Sequence, residues 1–234
     1  MAFYVTGDVH GNLDIDKLNV KNFKESSSLD KNDYLLICGD VAMFWDNGDD
    51  DFYTKIFYAK QPYTVLWIDG NHENFNLINQ LPVEKWNGGK VHKIYDNIYH
   101  LMRGQVYNID GHTIFTFGGA ESHDKIYRTK NLSWWEQEMP SLEDLEEADK
   151  NLKKVNYKVD YVFTHCIYND LQDYLSKFIT GYNQNILTDY FQSLYEKLDY
   201  KTWYCGHYHL DELFSDKNKN KQTQILYNCI LRIW

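Results

Sequence analysis

A chain of 234 residues, 43% hydrophobic and 25% charged, has the length and apolar content to bury a real core, which argues against disorder. Its net charge of −10 argues against gripping nucleic acid or anionic lipid through a broad basic face. No charge-free apolar run reaches the roughly 20 residues of a membrane span.

In chain order, segment 2–6 reads as a short strand, with no basic start or cleavage site of a signal peptide. Further strands are expected at 33–38, 63–68, 159–164 and 201–205, and others at 91–101, 104–109, 112–118, 210–215 and 222–233. Asp110-Gly111 marks a tight hairpin, and 215–221 an exposed hairpin loop. A helix is predicted from Ser141 as N-cap, with Asp144 three residues on. Leu142, Leu145, Ala148 and Leu152 recur at helical spacing, and Lys150, Lys153 and Lys154 close the end. Ile186, Leu187, Tyr190, Phe191, Leu194 and Leu198 suggest a second helix. Helical segments between the first strands, with antiparallel hairpins elsewhere, predict an α/β chain folded as one domain over residues 1–234. Cys38, Cys166, Cys205 and Cys229 are far apart and mostly within apolar runs. That pattern suits reduced, buried thiols and a cytoplasmic protein.

The informative residues stand just past the ends of five of the strands. FYVTG leads to Asp8 and His10, YLLICG to Asp40, VLWIDG to Asn71, His72 and Glu73, YVFT to His165, and WYCG to His207 and His209. Any one of these alone is a turn, a cap or a hydrogen-bonded histidine. Together they bring carboxylates, an amide and imidazoles to the strand ends where α/β sheets bind ligands. The residue types suit borderline or hard metals, and no thiol is among them. Asp8, His10, Asp40, Asn71, His165, His207 and His209 are too many for one tetrahedral centre, so two ions sharing a carboxylate are expected. With only two anions among seven groups, two divalent ions leave the cluster positive, which suits a phosphate substrate. His72 is not needed for coordination. It is either a general acid for the leaving oxygen, oriented by Asp40 or Glu73, or a buried structural histidine.

These residues, in this order, resemble the calcineurin-like metallophosphoesterase superfamily. Its pattern stands here as Asp8-Val9-His10, Gly39-Asp40, Gly70-Asn71-His72-Glu73, His165 and Gly206-His207-Tyr208-His209. The resemblance implies a four-layer αββα sandwich with a dinuclear centre at strand C-terminal ends. It implies one ion on Asp8, His10, Asp40 and His209 and the other on Asp40, Asn71, His165 and His207. Manganese, iron or zinc are the ions expected, manganese favoured, with magnesium ill-suited to so many imidazoles. The implied reaction is hydrolysis of a phosphomonoester or phosphodiester by in-line attack of a metal-bridging hydroxide. Val41-Ala42-Met43 after Gly39-Asp40 departs from the G-D-x-x-D-R-G of the protein phosphatases and dinucleotide hydrolases, which puts those substrates in doubt. Gly118 to Arg128, followed by Ser133-Trp134-Trp135, looks more like the small bacterial or phage phosphoesterases.

Segment 118–140 is read as a loop over the metals, Arg128 clamping phosphate and Trp134 stacking on the leaving group. In the alternative, Arg128 makes a surface ion pair and Trp134 and Trp135 staple the loop to the core. His92, His100 and His112 are assigned to structure or surface, and His123 only weakly to the site. The partner expected is a small-molecule or phosphorylated substrate, with no stable nucleic acid and no membrane. Two other functions stay open, a catalytically silent binding scaffold and a nuclease acting on short nucleic acid.

Overall fold

Strands of four residues that are apolar along their whole length need cover on both faces. Phe3–Thr6 and Thr64–Trp67 are buried at every position. The computed structural model describes residues 1–234. Its first half runs β1 (Phe3–Thr6), β2 (Tyr34–Ile37), α1 (Asp49–Ala59), β3 (Thr64–Trp67), α2 (Phe75–Ile78), β4 (Val83–Trp86), β5 (Gly89–Tyr95) and β6 (Ile98–Leu101). Next come β7 (Gln105–Ile109), β8 (His112–Phe117), α3 (Leu142–Lys154), β9 (Tyr161–Thr164), α4 (Asn169–Leu175) and α5 (Ile186–Lys197). The chain ends with β10 (Thr202–Cys205), β11 (Glu212–Asp216), β12 (Lys221–Ile225) and β13 (Ile230–Arg232).

One sheet has the order β13-β1-β2-β3-β6-β5-β4 and the other β11-β12-β10-β9-β8-β7. Each has a parallel centre, β1-β2-β3-β6 and β12-β10-β9-β8, with antiparallel strands at its margins. Strand alternation sorts the core into layers. Phe3, Val5, Leu36 and Leu66 meet Ile114, Phe163 and Tyr204 between the sheets. The opposite faces carry Tyr4, Leu35, Val65 and Trp67, which pack on Leu18, Tyr58 and Tyr63. On the far side Phe115, Val162 and Trp203 pack on Leu152, Phe191 and Leu194 of the helices. The result is a helix–sheet–sheet–helix sandwich, as the resemblance implies. No helix is long and apolar enough to cross a membrane.

The expected α3 is present with its reciprocal cap. Ser141 Oγ accepts from Asp144 N at 3.1 Å, and the Asp144 carboxylate accepts from Ser141 N at 2.9 Å. Asp110 and Gly111 form the expected turn with φ of 51° and 79°. Two strand expectations need correction. Segment 91–101 is the antiparallel pair β5 and β6, turning at Asp96-Asn97. Segment 222–233 is also two strands, β12 in one sheet and β13 in the other. The crossing between them is held by the Asp211 carboxylate, which accepts from the backbone N–H groups of Tyr227, Asn228 and Cys229. Sequence reading also missed β4, whose residues are largely exposed, and α1, which opens on three aspartates. Asp51 there turns its carboxylate back to accept from the N–H groups of Trp45 and Asn47 at 2.7 Å each.

Candidate metal centre

Parallel strands all point their carboxyl ends the same way, so the turns after β1, β2, β3, β9 and β10 meet at one edge of the sandwich. They turn sharply. His10, Asp40, His207 and His209 all have left-handed backbone, with φ of 43°, 52°, 69° and 52°. Each costs about 1–2 kcal/mol for a residue with a Cβ, so the surrounding packing must hold them. Two glycines are required by close approach. A Cβ at Gly70 would overlap the Asp40 carboxylate, and one at Gly206 the Asp8 carboxylate.

The seven expected donors converge. His10 Nε2 lies 3.4 Å from Asp40 Oδ2 and 3.8 Å from Asp8 Oδ2, and His209 Nε2 lies 3.2 Å from Asp8 Oδ2. On the other side of Asp40, His165 Nε2 stands 3.5 Å from the same Oδ2 and 3.1 Å from Asn71 Oδ1. The His207 ring is centred 4.9 Å from that of His165. Two groups have ligand atoms close enough to hold a cation, Asp8–His10–His209 and Asp8–Asp40–His165. Asp8 Oδ2 is buried without a hydrogen-bond partner, although His209 faces it. An orphaned anionic oxygen ringed by imidazole nitrogens fits a metal ion.

Outer contacts set which atoms face inward. Asp14 Oδ2 sits 2.7 Å from His10 Nδ1, and the Cys38 carbonyl 2.6 Å from His165 Nδ1, leaving both Nε2 atoms for the centre. Asn71 Nδ2 donates to Ser122 Oγ at 3.1 Å, which turns the amide oxygen toward His165. The charges fit a cation too. Burial works against ionising Asp40, yet His165 and His72 outweigh it and hold the carboxyl well below its usual range. Burial likewise opposes charge on His10 and His165, but the carboxylates raise them to about 9 and about 10. Burial and the neighbouring His165 push His207 down to about 3.

His72 is half-buried beside this cluster, and neither Asp40 nor Glu73 orients its ring as expected. Asp40 Oδ1 accepts from the His72 backbone N–H at 2.8 Å, and Glu73 Oε1 accepts from Val41 N–H at 3.0 Å. Arg128 lies along the imidazole instead, Nη1 3.2 Å from Nδ1 and Nη2 3.1 Å from Nε2. A neutral imidazole has one acceptor nitrogen, so the guanidinium lies against the ring while donating at most one hydrogen bond to it. Arg128 Nε stands 2.7 Å from Asp124 Oδ1. Trp45 stacks on His72 with centroids 6.3 Å apart, and buried Trp135 meets Trp45 edge-on at 5.4 Å. Burial, then the Arg128 charge, lower the His72 pKa against the pull of Asp40.

Thus Arg128 reaches the site by way of His72. Trp135 is a buried staple, while half-buried Trp134 has Lys125 Nζ 5.0 Å from its ring centre. His92 and His100 pair in the core through Nδ1 atoms 3.1 Å apart, and His112 packs on Trp234. Sequence reading missed Asp14, Trp45, Ser122 and Asp124. Asp14 and Asp124 had a local signal, each standing four residues from its partner, His10 and Arg128.

The family model for calcineurin-like phosphoesterases matches residues 1–211. Lariat debranching enzyme A of Xenopus laevis is 30% identical over 141 residues, 53% of this chain; the match spans 24% of that enzyme. Among solved structures, GAP50, the anchor in the inner membrane complex of Plasmodium, aligns over 97% of this chain and 71% of its own. Its TM-score is 0.56 at 13% identity. A putative 5'-nucleotidase from Staphylococcus aureus aligns over 99% of this chain and 50% of its own, with TM-score 0.49 and 16% identity.

Proposed function

The chain belongs to the calcineurin-like phosphoesterase family, and on that ground we propose a dinuclear metal-dependent hydrolase of phosphomonoesters or phosphodiesters. In this reading residues 1–234 act as one catalytic unit. The observation that carries it is the orphaned Asp8 oxygen beside two sets of ligand atoms, Asp8–His10–His209 and Asp8–Asp40–His165, each close enough together to hold a cation. Asp8, His10, Asp40 and His209 would hold one ion, and Asp40, Asn71, His165 and His207 the other. Bound divalent ions supply Lewis-acid polarisation of water and of the phosphoryl oxygens. Manganese, iron or zinc suit the imidazole-rich set, manganese foremost.

The chain's own groups do the rest. His72 gives its proton to the leaving oxygen, and Arg128 and Trp45 hold its ring against rotation so that the proton is aimed. Arg128 adds positive charge beside the phosphoryl group, and Trp134 borders the approach from the 118–140 loop. Four free cysteines, three of them buried, support a reducing, cytoplasmic setting.

The test measures initial rates on a chromogenic monoester and a diester, with and without manganese, alongside elemental analysis. Metal-dependent turnover of either supports the reading. Stoichiometric metal with no turnover on any ester would move the chain to a silent scaffold. A second reading, cleavage of short nucleic acid, is favoured by the debranching-enzyme likeness and weakened by the charge of −10. Cleavage of a short oligonucleotide, with binding that weakens as salt rises, would select it.

A further inference from the structure

Next to the metal centre lies a cavity of about 180 Å3 with His207 in its wall, lined by segment 121–126, by Gln172 of α4, by residues 181–185 before α5 and by Thr188 in its first turn. Most of its lining is amide, hydroxyl or imidazole. Tyr182 stands edge-on to His207 with centroids 5.0 Å apart, packs 5.4 Å from His123, and donates its hydroxyl to the His207 carbonyl at 3.3 Å. Glu121 and Lys125, the charged side chains of this lining, pair with one another at 3.2 Å.

Gln172 points to a ligand. It is 4% exposed, and its Nε2 is buried with no hydrogen-bond partner. The Tyr208 hydroxyl accepts from Ile167 N–H at 3.2 Å and donates to Gln172 Oε1 at 2.8 Å, and turning the amide would take that acceptor away from the hydroxyl proton. The NH2 end is left without a partner on a residue that lines the same cavity as His207. A buried donor without an acceptor is costly, and a bound acceptor oxygen would satisfy it.

We propose that this cavity seats the uncharged, hydroxyl-rich alcohol portion of the phosphoester, a group of sugar-ring size, with one of its oxygens accepting from Gln172. The inference rests on reading the neighbouring centre as the phosphoester site. Mutual pairing of Glu121 and Lys125 leaves no free charge for a second phosphate. The volume is below the roughly 300–1,000 Å3 of pockets that take a whole drug-sized ligand, so one ring is accommodated rather than a long chain. The polar lining matches groups that both donate and accept, which hydroxyls do and an aryl ring does not.

The experiment compares kcat/KM for ribose 5-phosphate and for phenyl phosphate in the manganese-loaded protein. Gln172→Met and Gln172→Glu are measured beside the wild type, and free ribose is titrated by saturation-transfer NMR as a readout that needs no turnover. Gln172→Glu keeps an acceptor for Tyr208 and so separates loss of the donor from loss of local structure. The expected result is preference for ribose 5-phosphate in the wild type and an about tenfold fall of that ratio in both variants, the scale of one neutral hydrogen bond. The ribose signal should vanish with it. Turnover of phenyl phosphate with no ribose preference, or a preference that both variants keep, overturns the cavity assignment and leaves the phosphoesterase reading standing. If neither ester is cleaved, that reading fails and the NMR titration decides alone. Ribose bound by the wild type and lost in both variants keeps the assignment, and any other result overturns it.

Discussion

The two flanks of the metal centre are built on opposite plans. Beside His72, Arg128 and Trp45 each lie against the imidazole, and Trp135 braces Trp45 edge-on. Beside His207, amides and hydroxyls surround open space, and one buried donor waits for a partner. The difference teaches what each kind of precision requires. In the proposed reading, a group that must deliver a proton along one line is held by flat surfaces, whereas a surface that must recognise a molecule keeps a hydrogen-bonding group unpaired.

The widest effect should come from removing what both flanks share. Asp40→Asn takes away the oxygen facing both His10 and His165, and elemental analysis should show metal lost. Turnover should fall beyond the 10–100-fold typical of outer partners of a metal ligand. Full metal content in that variant would break the picture of a common centre.

Next comes the closed flank itself. His72→Ala should keep its metal and lose about 10²–10⁴-fold in turnover on a poorly activated ester. An activated leaving group such as nitrophenolate should suffer far less. Equal losses on both esters would show that His72 does not serve the leaving oxygen.

Arg128→Ala should cost up to about 100-fold in kcat through a displaced imidazole, and little more when His72 is already alanine. A rise in KM alone, undiminished in the double variant, would instead make Arg128 a direct phosphate ligand. The outcome therefore sharpens whether the closed flank positions a side chain or binds substrate.

The smallest effect lies outside both flanks, at the buried pair His92 and His100. Burial, then the neighbouring His100, lower His92 to about 4, while Asp69 opposes them. A histidine with a depressed folded value stabilises fully above its unfolded value of about 6.5, and that stability is lost as pH falls toward 4. The unfolding free energy read from denaturant titrations should therefore drop on acidification by on the order of 2 kcal/mol more in the wild type than in His92→Gln. Parallel curves would show that His92 does not carry this loss.

How much was legible in the sequence depends on how local each signal is. An apolar run ending in Gly-Asp or Thr-His carries its donor within a residue or two of the strand, so the side chains at the sheet edge could be named before any pairing was known. The partners of His72 had no such tie. Arg128 lies 56 positions away in a loop without period, and Trp45 looks like any aromatic after a strand. Gln172 carried no signal in the sequence, and its burial shows only in the fold. In the fold, α1 escaped because acids and aromatics blur its apolar stripe. The break between β12 and β13 escaped because the apolar run continues through Leu226 across a change of sheet.

That change of sheet bears on how the molecule is made. β13 is the antiparallel neighbour of β1, with Tyr4 opposite Arg232 and Thr6 opposite Ile230. During synthesis the first strand therefore leaves the ribosome with its outer edge bare and stays so until more than 200 further residues have been added. Contacts so distant along the chain form slowly, and an uncovered strand edge invites pairing with other nascent chains. Asp8 stands two residues beyond that strand, and the His207 N–H that donates to its Oδ1 at 2.9 Å likewise lies 199 positions further along the chain.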